Sequence, residues 1–197
     1  MTITDDEFVR LFQERAGLKP DGWAGKDTLA ALDLALPAKI QPASDGAIPD
    51  SYWPMLSKIE SGDRPYIKAA TSSASGLYQF IRSSWIAEGG TWGPDMAKAF
   101  GGLRPTEAEQ LARAKTFTAK NAAYLRGKGI RINRASLYAA HFFGALTAAR
   151  VIGAPVDARA DTLAGEAATN ANPSILRGKT VGQFLTWLNG KTGEWAK

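Results

Sequence analysis

The stretch Ala135-Ser136-Leu137-Tyr138-Ala139-Ala140-His141-Phe142-Phe143-Gly144-Ala145-Leu146-Thr147-Ala148-Ala149-Arg150-Val151 is rich in alanine and carries one formal charge, Arg150. Such a run predicts a single helix over Ala135 to Val151, and a helix this poor in charge has no face suited to water. It belongs at the centre of a fold whose other elements cover it. Gly153-Ala154-Pro155 ends it.

The neighbouring segments have the pattern of covering helices. Thr106-Glu107-Ala108-Glu109 reads as a capping box opening a long helix to about Arg126, which Gly127-Lys128-Gly129 closes. Upstream, Ser51 to Ser61 forms a helix with Tyr52, Met55, Leu56 and Ile59 as its inner face. Residues 62–74 are polar and irregular. A helix is expected from Ser75 to Ala87, a turn over 89–94 and a short helix near 95–100. Downstream come a short helix near 162–168 and a last one from Val181 to Leu188. No run alternates as a strand, so residues 50–197 read as an all-α body.

The N-terminal part is separate. Thr4 caps a helix whose first turn, Asp5-Asp6-Glu7, suits the positive end of the dipole. Phe8, Leu11 and Phe12 follow at helical spacing, and Ala16 to Gly22 reads as a stop and turn. A second helix, Lys26 to Leu36, places Leu29, Leu32 and Leu36 on one face. Residues 1–36 thus form a small helical unit, and the proline-punctuated 37–49 forms a linker to the body.

Composition narrows the chemistry. Among 197 residues there is no cysteine and one histidine, His141. Disulfides, thiol nucleophiles and thiolate metal sites are excluded, and a Ser-His-Asp triad or a histidine zinc site is disfavoured. Any catalysis falls to carboxylates, hydroxyls or lysines. No phosphate-binding Gly-Lys motif is present, which leaves a nucleotide site without support, and no metal or organic cofactor is implied. Nowhere do about 18 apolar residues run together, and the start, from Met1 to Glu7, has neither the basic segment nor the apolar core of a secretory signal. The net charge of +5 divides unevenly: residues 1–50 hold five Lys/Arg against nine Asp/Glu, and the body carries +9. A basic body fits an anionic partner, whether nucleic acid, an acidic wall polymer or a membrane surface, and equally a merely solubilising surface. The basic residues are spread over several helices with no recognition helix, which counts against nucleic acid.

One carboxylate stands out. Glu60 ends the apolar segment Trp53-Pro54-Met55-Leu56-Ser57-Lys58-Ile59-Glu60, directly before Ser61-Gly62. An anion at a helix C-terminus opposes the dipole, which raises the carboxyl's pKa towards that of a general acid. A solvated helix end, or an ion pair with Arg64, would explain it equally. Downstream, Ala70-Thr71-Ser72-Ser73-Ala74-Ser75-Gly76-Leu77-Tyr78-Gln79-Phe80 gathers hydroxyls, an amide and aromatic faces suited to sugars, although Ser75 also serves as an N-cap with Leu77 and Phe80 in the core.

Glu60-Ser61-Gly62 followed by Ser75-Gly76-Leu77-Tyr78-Gln79-Phe80 resembles the lysozyme-like (goose-type) domain of soluble lytic transglycosylases, which carries a catalytic Glu-Ser pair and a Gly-Leu-x-Gln motif. Ala140-His141-Phe142-Phe143-Gly144 resembles that family's third motif, Ala-Tyr-Asn-x-Gly, with His141 in the tyrosine position and Phe142 in the asparagine position. This form, and Asn172-Pro173-Ser174-Ile175, resemble a phage-associated branch. The resemblance spans about residues 51–190. Separately, Phe12-Gln13, Ala16-Gly17-Leu18, Asp21 to Gly25 and Thr28 to Leu32 resemble about half of a three-helix peptidoglycan-binding domain. Together they look like a modular phage endolysin.

The resemblance implies a monomeric enzyme acting on peptidoglycan, made in the host cytoplasm and working in the periplasm against an anionic envelope. Glu60 would protonate the glycosidic oxygen between N-acetylmuramic acid and N-acetylglucosamine, then accept the C6 hydroxyl proton as a 1,6-anhydro ring closes. Ser75 and Gln79 would bond the N-acetyl groups, and Tyr78 would stack or line the cleft. Tyr138 would bond Glu60, His141 would bind sugar or position Glu60, and Phe142 or Phe143 would floor the cleft. Trp92 is a candidate for the rim, whereas Trp85 and Trp187 read as core. Asp63, if it faced Glu60 across the sugar, would make a hydrolysing muramidase instead. A non-catalytic wall-binding or virion structural protein is the third alternative.

Overall fold

A computed structural model describes residues 4–35 and 47–197, apart from the side chains of Ala30 and residues 33–35. The chain divides into two compact units, Met1–Asp45 and Gly46–Lys197. That boundary falls in the predicted linker, of which residues 37–46, like Leu36 before it, lie outside the described residues.

In the first unit, α1 (Asp5–Arg15) starts at the expected cap, Thr4 accepting from the Glu7 N–H while Glu7 returns to the Thr4 N–H. The second helix, α2, runs Lys26–Ala35. The expected apolar stripe is not what the unit buries, for Phe8, Leu11 and Leu29 are exposed. Its buried centre is Gln13. That side chain donates to Asp21 Oδ1, the Trp23 carbonyl and Thr28 Oγ1, and accepts from the Gly22 N–H. Hydrogen bonds to this buried amide offset its desolvation, so polar bonding closes a unit too small for an apolar core.

Among the described residues the body is all-α: α3 (Tyr52–Ser61), α4 (Arg82–Ala87), a 3-10 turn (Ala99–Gly102), α5 (Glu107–Gly127), α6 (Arg134–Phe143), α7 (Ala145–Gly153), α8 (Ala160–Ala164), α9 (Glu166–Ala171), α10 (Pro173–Leu176) and α11 (Val181–Thr192). Among the described residues extended pairing is limited to three isolated bridges. The core joins Tyr52 and Leu56 of α3, Trp85 of α4, Phe100, Leu125 of α5, Leu137 of α6, Ile152 of α7 and Phe184 and Leu188 of α11. As expected of the alanine-rich run, residues 135–140 of α6 are buried, packed among α5, α7 and α11.

Three expectations are corrected. The helix predicted over Ala135 to Val151 is two helices, because Gly144 adopts φ 81°, ψ 151° and serves as C-cap of α6 and N-cap of α7. Only glycine enters that region without strain. The capping box at Thr106 is half formed: Thr106 accepts from the Glu109 N–H, but the Glu109 carboxylate turns to Arg113 at 2.8 Å. Most consequential, residues 75–81 are not helical. Ser75 and Phe80 exchange both backbone hydrogen bonds around Gly76-Leu77-Tyr78-Gln79, and helix begins only at Arg82.

Tertiary bonding overrides the local preference there. The Leu77 N–H donates to Gln110 Oε1 at 2.8 Å, and the Gln110 amide nitrogen donates to the carbonyls of Pro65 and Pro105. Gln110 is fully buried in α5 with each of these groups satisfied, so it fastens the whole 65–80 segment to the bundle. Gln110→Leu would leave the Leu77 N–H and two carbonyls without it, and is expected to cost roughly 2–4 kcal/mol. Urea denaturation checks this; a loss under about 1 kcal/mol would mean that water replaces the amide.

Candidate active site

Glu60 lies in the last turn of α3, whose end is built by its neighbours. Gly62 takes the left-handed conformation (φ 60°) and its N–H returns to the Lys58 carbonyl. Ser61 is buried, donates to the Ser57 carbonyl and accepts from the Arg64 N–H, so the serine beside the acid closes the helix. Arg64 donates to the Ser61 carbonyl and forms no ion pair with Glu60.

The Glu60 side chain is only 18% exposed. Burial pushes its pKa up from the ordinary carboxylate range to about 7; the facing Tyr138 hydroxyl and the charge of Lys191 pull the other way. Burial and the neighbouring Glu60 in turn push the Tyr138 hydroxyl far upward, so it remains a donor. Tyr52, two turns before Glu60 on the same face of α3, brings a buried hydroxyl close enough to feel its charge.

His141 comes from α6, its Nε2 3.9 Å from Glu60 Oε1 and its side chain 12% exposed. Burial lowers its pKa to about 4, with the Tyr78 carbonyl opposing the shift. Below pH 4 the imidazole is charged and the carboxyl neutral; above pH 7 the reverse holds. The two are therefore never an ion pair, despite their proximity. Phe117 of α5 presses edge-on against the imidazole, ring centres 6.0 Å apart and planes at 87°.

The remaining expected site residues are placed differently. Ser75 is fully buried, its hydroxyl donating to the Ser73 carbonyl and accepting from the Phe100 N–H, so it holds the loop and has no free face for a sugar. Tyr78 is 5% exposed, which removes its ring as a stacking platform; its contribution to the site is the carbonyl facing His141. Gln79 is half-buried with φ 46°, and its amide nitrogen donates to the Gly76 carbonyl, fixing the amide's orientation. Phe142 and Phe143 sit with Trp187 and Phe184 in an aromatic cluster behind Tyr138, where Trp187 is half-buried. Trp92 packs on Phe100 with its indole nitrogen buried, which spends its ring on the core edge.

Asp63 points elsewhere. It too is left-handed (φ 62°); its carboxylate accepts from Ser57 Oγ at 2.7 Å and lies 3.7 Å from the Lys58 ammonium. Among the described residues no carboxylate figures in the charges acting on Glu60. Thus α3, α6 and the 75–80 loop bring together Glu60, Tyr138, His141 and the Tyr78 carbonyl. Local sequence missed Tyr52, although its spacing from Glu60 (52, 56, 60) marks a shared helix face, and missed Lys191 of α11, for which no local signal exists.

Among the described residues no group of three or more His, Asp or Glu could hold a metal ion, and no helix is long and apolar enough to cross a membrane. Compared with known families and curated proteins, the chain matches no family model and none of those proteins.

Proposed function

We propose that this chain is a peptidoglycan-cleaving enzyme of lysozyme-like fold, a lytic transglycosylase of the phage endolysin type. It would cut the β-1,4 bond between N-acetylmuramic acid and N-acetylglucosamine in the bacterial periplasm. The observation that carries this reading is one buried carboxyl, Glu60, whose pKa of about 7 lets both of its forms be populated near neutral pH. Retaining and inverting glycosidases need a second carboxylate roughly 5 to 9.5 Å away. Asp63, the nearest in sequence, is committed to Ser57 and Lys58.

Glu60, protonated at rest, gives its proton to the glycosidic oxygen as that bond breaks. The resulting carboxylate takes the proton of the muramyl C6 hydroxyl as that oxygen bonds to C1, closing the 1,6-anhydro ring. The proton count balances without water. Tyr138 and Lys191 stabilise the transient anion, and the low-dielectric surroundings return it to the acid. The same acid serves a hydrolysing muramidase if water replaces the C6 hydroxyl, which is the second reading. Mass spectrometry of digested purified peptidoglycan separates them: the anhydro product is lighter than its hydrated counterpart by one water. Products with reducing ends alone would overturn the transglycosylase. No product from intact protein would favour a non-catalytic wall-binding or virion structural role.

A further inference from the structure

We infer that the hydroxyl-rich turn at residues 70–73 forms, with Lys68 and Met96, a second substrate site, which takes a carboxylate of the short acidic peptide borne by N-acetylmuramic acid. This rests on the peptidoglycan reading of the Glu60 site and extends it to a further part of the polymer. Here the chain doubles back on itself: Lys68 pairs with Ser75, and the Ala69 N–H donates to the Ala74 carbonyl at 2.9 Å. The turn between them, together with Lys68 and Met96, lines an open cavity of about 310 Å³, at the lower end of the range for small-ligand sites. The Glu60 chemistry uses none of these residues.

What the cavity presents is donors. An ammonium has three N–H groups; two of those on Lys68 go to the carbonyls of Ala69 and Ser72, at 3.2 and 2.9 Å, which fixes the charge in the turn and leaves one donor over. Ser72 Oγ accepts from the Ala74 N–H, and Ser73 Oγ from the Arg82 N–H. Among the described residues neither hydroxyl donates within the protein, so each keeps its O–H for a ligand. Nor, among those residues, is Lys68 or Arg82 ion-paired. Asp95, beside Met96, is taken up by Lys98 at 3.0 Å and by the Ala97 N–H. A cation among hydroxyl donors, with no anion to satisfy it, suits a carboxylate. A neutral sugar would need acceptors as well and would leave the charge uncompensated. Half-exposed Met96 and Ala70 add an apolar wall for the methyl groups of alanine. Ser73 stands five residues before Tyr78, whose carbonyl lies beside His141, so at most about 17 Å separates the two. An extended peptide of about four or five residues spans a similar length, enough to run from a muramyl sugar at Glu60 to the cavity.

The test titrates the full-length protein with N-acetylmuramyl-L-alanyl-D-glutamate, which has no glycosidic bond between sugars for Glu60 to break. Carbon-13 labelling of the methionine methyls gives three signals, from Met1, Met55 and Met96, and the Met96 signal should move while that of Met55 stays. Amidating both carboxyls of the ligand should raise the dissociation constant about tenfold. Lys68→Met should do the same, and Lys68→Arg should restore binding. Because Lys68 also staples the turn, Met96→Glu serves as a second variant: it touches none of the bonds that shape the turn and should weaken binding as much by repulsion. An unmoved Met96 signal, equal affinity for the diamide, or inorganic phosphate bound as tightly as the peptide would overturn the assignment. With wall substrate, glycan stripped of its peptides should show a higher KM than intact peptidoglycan, and Met96→Glu should erase that difference. If the protein binds the muramyl peptide at Met96 but cuts no wall, the site stands and the wall-cutting function falls; if it cuts wall while the Met96 signal stays unmoved, the function stands and the site falls.

Discussion

Glu60→Gln should lose peptidoglycan cleavage by roughly 10²- to 10⁴-fold and at the same time gain stability above neutral pH. Glutamine keeps the shape of the side chain but has no proton to give. The stability effect follows from the raised pKa. With the folded-state pKa at about 7 and the ordinary value at 4.5, the folded protein holds a proton that the unfolded chain has released anywhere between those values. Stability is therefore full below pH 4.5 and falls as the pH rises through 7, by about 3 kcal/mol at 1.36 kcal/mol per unit. The variant lacks this loss. Urea denaturation curves of the two proteins should converge near pH 4 and separate by up to about 3 kcal/mol at pH 8. His141 also titrates, its lowered pKa removing stability as pH falls from 6.5 towards 4, but it does so in both proteins. Equal stabilities at pH 8 would mean that the carboxyl is well solvated, and wall clearance by the variant at the wild-type rate would mean that another group is the acid.

The parts of this fold that could be read in the sequence are those decided within a few residues. Caps at Thr4 and Thr106 satisfy donors three positions away. Glu60 could be singled out because its helix, its stop at Gly62 and its apolar neighbours are contiguous. The cause of its raised pKa was not legible, since burial, the one cause that raises it, depends on distant elements such as α6 packing against it. Ser75 failed as a substrate contact for the same reason. Its hydroxyl partner is the Phe100 N–H, twenty-five positions on, and nothing near Ser75 announces it. Gly144 shows a third kind of limit. A glycine in an alanine-rich run costs a helix only about 1 kcal/mol, so the run still reads as one helix, although the chain uses that glycine to turn between two.

Gly76→Ala should be among the most damaging single-atom changes in the body. Gly76 has φ 79°, and a Cβ there would overlap both Gln110 Oε1 and the Phe100 ring. Neither neighbour has room to yield, because Gln110 is held by Leu77, Pro65 and Pro105 while Phe100 is packed against Trp85 and Trp92. Left-handed strain and overpacking together predict a loss of roughly 3–5 kcal/mol, a large share of the 5–15 kcal/mol typical of a whole domain. The functional consequence comes through Tyr78. If the loop shifts to admit the methyl group, the Tyr78 carbonyl beside His141 moves with it, and peptidoglycan cleavage should fall as well. Thermal unfolding checks the first effect and turbidity clearance of purified cell walls the second. A variant as stable as wild type would show that the loop accommodates a side chain at position 76, and would remove the reason for treating the 75–80 turn as the rigid support of the His141–Glu60 pair.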